Sequence, residues 1–250
     1  MIAITALREK IRKKVFFVVL ILGVLITLLF GMGDATVTVG GVEVTDYEML
    51  LPVILTVLHI ISCVMAVVLS LSTIPNEYER RTSHLIWIRG VSQAGYHGEL
   101  ALANVAASLV SHGILFLCLM GFMISKGHAS DLWRVVPAYL VSGISVAMVS
   151  LFTSWLSLIL PTIAAGVIST FFMLAGIAYP LVELLKGLAG GFSGILLKYL
   201  LAVLPNLHSI QSAGGALLTG GAMDWHILFR GLLYAYLFVV GILVCRRKEA

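Results

Sequence analysis

Charge along this chain is confined to narrow borders around long apolar runs. Between Lys14 and Asp34 lie 19 uncharged residues, between Glu48 and Glu77 lie 28, and between Glu99 and Lys126 lie 26. A fourth run, from Arg134 to Glu183, encloses 48. A membrane-spanning helix takes about 20 mostly apolar residues. The first three runs therefore predict one helix each. The fourth predicts two, reversing at Pro161 in Ile-Leu-Pro-Thr, where one helix stops and another starts. The apolar run from Trp225 to Val244 predicts a sixth, with Arg230 near one end and able to snorkel.

Two stretches depart from this pattern. In 187–210 the apolar core, Phe192 to Leu204, is only 13 residues and contains Lys198. Pro205 and glycines 187, 190, 191 and 194 interrupt it further, which predicts a re-entrant or interfacial hairpin before the last helix. At the N-terminus, Ile4, Leu7 and Ile11 share a helical face, Arg8, Arg12 and Lys13 fall elsewhere, and Glu9 precedes Lys13 by four. That spacing predicts an amphipathic helix over 1–14 lying on the inner leaflet, the alternative being a frayed basic flank. The basic start and first apolar run resemble a signal peptide, but no small-residue cleavage site follows Phe30, so a retained span is expected.

Composition agrees with a chain solvated by lipid. Hydrophobic residues make up 60% and charged residues 11%, with a mean hydropathy of +1.07. So little charge cannot cover a water-soluble surface of this size. The net charge of +4 does not point to nucleic acid, because the basic residues border apolar runs and form no single patch. Membrane topology accounts for them better. With six passes and both termini cytoplasmic, eleven Lys/Arg lie inside and five outside. The first outer loop, 33–49, has no basic residue, and a seventh pass would move Arg246, Arg247 and Lys248 outside, against the positive-inside bias. The expected fold is an all-α polytopic membrane protein: one transmembrane domain over 1–250, a cytoplasmic loop at 75–96 and an extracytoplasmic region at 183–224.

Catalytic signatures are missing from the sequence. GxxxxGK[ST], HExxH, GxSxG and CxxC do not occur. Acids and strong bases are absent from the middle of the predicted helices, leaving His59 and His112, which are read first as hydrogen-bonded packing residues. Cys63, Cys118 and Cys245 are dispersed in or beside apolar segments and suit soft packing. Small polar stripes, Ser150, Thr153, Ser154 and Ser157 in one helix and Asn104, Ser108, Ser111 and His112 in another, predict close helix contacts or, alternatively, a substrate path.

The densest charge lies in the 75–96 loop. Glu77 and Arg81 are an i,i+4 pair, and Leu85, Ile86, Trp87 and Ile88 set apolar anchors among Glu79, Arg80 and Arg89. A solvated loop obeying the positive-inside rule needs no such anchors; membrane anchoring could use them, and a knob docking on a soluble partner needs this mixture of apolar anchors and Arg. With the six passes and the interfacial helix, Glu77-Tyr78-Glu79-Arg80-Arg81-Thr82 followed by Val91, Ser92 and Tyr96 resembles the permease subunits of ABC-2 type transporters, including those of nitrous oxide reductase maturation. Gly90, Gln93 and Glu99 stand where that family's pattern has Pro, Arg and Lys. The Leu-Pro205-Asn206-Leu run also resembles the family's extracellular region.

The resemblance implies a complex of two permeases (a second copy or a homologous chain) with two separate ATPase subunits, in a bacterial inner membrane. Glu77, Glu79, Arg80, Arg81, Trp87 and Arg89 would form the coupling contact, with a second at Pro161. Gly166 and Thr170 are candidates for the permease interface. This chain would carry no cofactor and no enzymatic activity, ATP and Mg belonging to the partner. The expected function is export driven by the partner's ATP hydrolysis. Alternatives are an energy-relay subunit acting on a periplasmic, lipoprotein or membrane partner, a membrane-embedded enzyme, and a secondary transporter, whose inverted repeat is not visible between 1–124 and 125–250.

Overall fold

The computed structural model describes residues 2–12, 14–31, 37–39, 42–44, 47–71, 73–79 and 90–245. Helices α1 (Ile2–Ile11) and α2 (Val15–Gly31) come first, then strands β1 (Val37–Val39) and β2 (Val42–Val44). Helices α3 (Tyr47–Leu71), α4 (Thr73–Glu79) and α5 (Gln93–Ser125) follow, and a 3-10 turn at Ala129–Arg134 leads into α6 (Val135–Ile159). The remainder is α7 (Thr162–Ile177), α8 (Tyr179–Leu188), α9 (Gly191–Val203), α10 (Leu207–Leu218) and α11 (Trp225–Val244).

Four of these segments are each long and apolar enough to cross a membrane: Leu50–Asn76, Gln93–Ser125, Ala129–Ile159 and Trp225–Val244. Two bent pairs pass the same test jointly, α7 with α8 at 77° and α9 with α10 at 52°. Length and composition thus make this a multi-pass membrane protein with four to six candidate spans. Two expected single spans are shorter than read. Helix α2 has 17 residues, and α7 stops at Ile177, where Ala178 (φ −83°, ψ 19°) ends one helix and begins the next, Pro180 having no N–H to give the carbonyl of Gly176.

The fold is all-α, as expected, apart from one hairpin of two three-residue strands. β1 and β2 pair antiparallel, Val37 with Val44 and Val39 with Val42. The sequence Val-Thr-Val-Gly-Gly-Val-Glu-Val, alternating on either side of a Gly-Gly pair, is a hairpin pattern. The reversal at Pro161 falls where the sequence placed it. α6 ends at Ile159, and Pro161, at φ −57° and ψ 150°, caps α7.

The packing centre is α6, against which α3, α5, α7, α10 and α11 all lie. α5 carries α2 and α1 on its other side. Gly23 makes the α2–α5 approach so close that a Cβ there would stand 2.8 Å from Cys118 Sγ. Helix α10 keeps to one end of the bundle. Leu207 meets Gly176, Gln211 Nε2 donates to Thr56 Oγ1 at 2.6 Å, and Gly214 lies against Ala138 and Ser142. These partners occupy the beginnings of α3 and α6 and the end of α7, which lie at one end of an alternating bundle.

Candidate functional site

At the opposite end, α1, α4 and the first turns of α5 converge. Ser92 starts α5 by accepting from Gly95 N at 3.2 Å. At 33 residues α5 is about 50 Å long, more than the roughly 30 Å hydrocarbon core. Glu99 in its second turn accepts from Ala3 N at 2.9 Å, placing a carboxylate at the donor-rich start of α1. The position where the resemblance calls for Lys thus serves to dock the N-terminal helix.

Lys10 secures the far end of α1. It is 5% exposed, and its Nζ donates to Leu69 O and, at 2.6 Å, to Thr73 Oγ1. Thr73 contacts Asn104 Oδ1 at 2.9 Å, Asn104 Nδ2 donates to Ser154 Oγ at 2.8 Å, and Ser154 donates to Ser150 O. Ser150 Oγ in turn lies 2.8 Å from Ser70 Oγ. One hydrogen-bonded path therefore runs from α1 through the α3–α4 junction into α5 and α6. Tyr78 Oη lies 2.7 Å from His97 Nε2, tying α4 to α5 a second time. In a low-dielectric setting such a network is stiff, because any broken link leaves a buried polar group unpaired.

A second polar cluster sits midway along the helices. His112 Nδ1 is 2.7 Å from Ser62 Oγ and its Nε2 is 2.9 Å from Ser142 Oγ. His59 Nε2 approaches Ser145 Oγ at 3.2 Å, and the two rings stand edge to face, centroids 6.4 Å apart. Ser62 and Ser142 also reach the carbonyls of Leu58 and Ala138. A neutral imidazole donates through one nitrogen and accepts through the other, so one serine must turn its proton from its carbonyl to His112. The arrangement joins α3, α5 and α6. Among the described residues no group of three or more His, Cys, Asp or Glu is placed to hold a metal.

The predicted site residues divide as follows. Arg80, Arg81, Trp87 and Arg89 lie outside the described residues, and Glu77 and Glu79 are placed in α4 by backbone alone. Pro161 is exposed at the α6–α7 turn. Gly166 makes a contact within the chain, since a Cβ there would stand 3.0 Å from Leu71 Cδ2. Beside it, Thr170, Ile163, Val167, Phe171 and Leu174 line an open apolar groove. The serine stripes are buried, and Asn104, Ser150 and Ser154 make the contacts between helices expected of packing. The cysteines are free thiols; Cys245 accepts from Trp155 Nε1 at 3.4 Å.

Lys10, Thr73, Tyr78 and His97 carry this junction and were not singled out in the sequence. Lys10 had a signal: it falls three residues after Leu7, on the apolar face of α1, where a cation needs a reason. No family model, curated protein or solved structure matches this chain.

Proposed function

We propose that this chain is the transmembrane subunit of an ABC transporter of the ABC-2 type, converting ATP hydrolysis on a separate subunit into movement of its helices. The carrying observation is the junction at Thr73. The short helix α4, which leads into the Glu77–Arg89 segment, is bonded at once to the N-terminal helix and, through Asn104 and Ser154, to α5 and α6. A push on α4 by a soluble partner would reach the bundle through these hydrogen bonds. In this reading α1 lies along the cytoplasmic face, α2, α3, α5, α6, α7 and α11 cross, and α8 to α10 cap the outer end.

Mild extraction of the tagged chain from its native membrane, followed by mass spectrometry of what remains attached, tests the reading. A stoichiometric subunit carrying GxxxxGK[ST] is the expected result. A further periplasmic or lipoprotein component would favour conformational work on that partner over solute export. Purification of the chain alone, in conditions that preserve such complexes, would overturn the proposal.

A further inference from the structure

A small cavity of about 60 Å³ lies where the α9–α10 elbow meets α11, its polar lining formed by Tyr179, Asn206, Ser209, Arg230 and Tyr234. A water needs roughly 10–15 Å³ by such a measure, so there is room for a group of about four or five heavy atoms. The lining is rich in donors and holds no carboxylate. Asn206 Oδ1 accepts from Ser209 N at 2.8 Å, which turns the amide so that its Nδ2 hydrogens are the free end. The Tyr179 hydroxyl reaches Leu201 O only at 3.5 Å, so its proton is readily given elsewhere. Among the described residues Arg230 makes no salt bridge, and the neighbouring Asp224 caps α11 by accepting from His226 N.

Depth sets the chemistry of the occupant. Arg230 lies five residues beyond Trp225, or about 7.5 Å along the helix. A tryptophan at the start of an apolar helix sits at the membrane surface. Helical side chains lean toward the N-terminus, so the guanidinium points back toward the headgroup layer. A cation there, with hydroxyl and amide donors beside it and apolar Ile227 and Leu204 behind, wants a tetrahedral oxyanion.

We propose that this cavity binds the phosphate of a phospholipid headgroup, with Arg230 as its counter-charge and Asn206, Ser209 and Tyr179 as further donors. The inference rests on the membrane placement of α11 and is independent of any ATPase partner. Its test is native mass spectrometry of the full chain in an uncharged detergent, titrated separately with dioctanoyl phosphatidylglycerol, dioctanoylglycerol and inorganic phosphate. One phosphatidylglycerol should be retained, dioctanoylglycerol should not, and Arg230→Gln should weaken retention at least about tenfold, the scale of a lost hydrogen bond to a charged group. Arg230→Lys, keeping charge without the planar fork, should fall between the two. Equal lipid retention by Arg230→Gln and the unaltered chain, at the same thermal midpoint, would overturn the proposal. So would equal retention of dioctanoylglycerol. Binding of inorganic phosphate that depends on Arg230, without retention of the lipid, would assign the same chemistry to a free anion and overturn the lipid source.

Discussion

Lys10 shows how much one side chain can hold in this molecule. Its amino group is buried between the Leu69 carbonyl and Thr73, and its removal detaches α1 from the bundle at one end. Replacing it by Met keeps the apolar stem and deletes the donors. Hydrogen bonds from a charged group are worth about 1.5–3 kcal/mol, so Lys10→Met should cut amide protection in residues 2–11 by on the order of tenfold or more. Hydrogen exchange would read this directly, with α6 as the unchanged reference. Protection that stays the same in 2–11 would mean α1 is held elsewhere. Glycines allow a paired comparison. A Cβ at Gly176 would meet the Leu207 side chain at 2.8 Å and Pro205 O at 3.0 Å, whereas at Gly121 nothing lies within 4 Å. Gly176→Ala should cost about 1–3 kcal/mol by prising α10 from α7. Gly121→Ala, in the interior of α5, should stabilise by about 0.5–1 kcal/mol. Thermal melts in one detergent separate the two; a neutral Gly176→Ala would show that the α7–α10 contact yields.

Among the elements, α4 separates binding of a partner from transmission to the bundle. Under the proposed function, Trp87 is an apolar anchor on the partner and Glu77 part of its charged surround. Trp87→Ala should lower the yield of co-purified ATPase subunit roughly tenfold, and Glu77→Lys should lower it by charge reversal, both without shifting the melt. Tyr78→Phe removes the hydroxyl that bonds His97 and keeps the ring. It should leave the partner bound while weakening the permease's effect on the partner's hydrolysis rate. Full retention of the partner by both Trp87→Ala and Glu77→Lys would remove this segment from the interface. The limits of the sequence also show at this scale. Apolar runs and Pro161 gave away α3, α5, α6 and α11 because lipid demands length and lack of charge, which are one-dimensional properties. The α4–α5 and α1–α5 bonds were hidden because Tyr78 and His97 are 19 positions apart and Ala3 and Glu99 are 96 apart, with no period linking them. The β1–β2 hairpin was written in its alternation and passed over because it lies between two strong helix signals. His59 and His112 were visible as residues, but only folding brings them to the serines of α3 and α6.

For the whole molecule the open quantity is the number of crossings, and it turns on α8 to α10. Were α9 and α10 one broken span, α10 would have to carry the chain to the end of the bundle that holds Lys10 and Thr73. Its approaches to Thr56, Ala138, Ser142 and Gly176 instead gather at the ends of α3, α6 and α7 remote from Lys10 and Thr73. Under the proposed topology the Pro205–Asn206 elbow would dip in and return on the same side, a 13-residue α9 of about 20 Å being too short to cross by itself. Charge agrees, since six crossings put eleven of the sixteen Lys/Arg on one side. Single cysteines at Arg12, Ser130, Ala222 and Lys248, in a background lacking the three native ones, distinguish the cases with an impermeant maleimide on sealed vesicles of known orientation. Six crossings predict that positions 12 and 248 label from the cytoplasmic side and 130 and 222 from the other. Seven would pair 12 with 222 and leave 130 with 248. If α2 fails to cross, 12 and 130 label together. Only the first pattern leaves the Glu77–Arg89 segment, the Pro161 turn and both termini facing the same compartment, as attachment to a soluble ATPase requires.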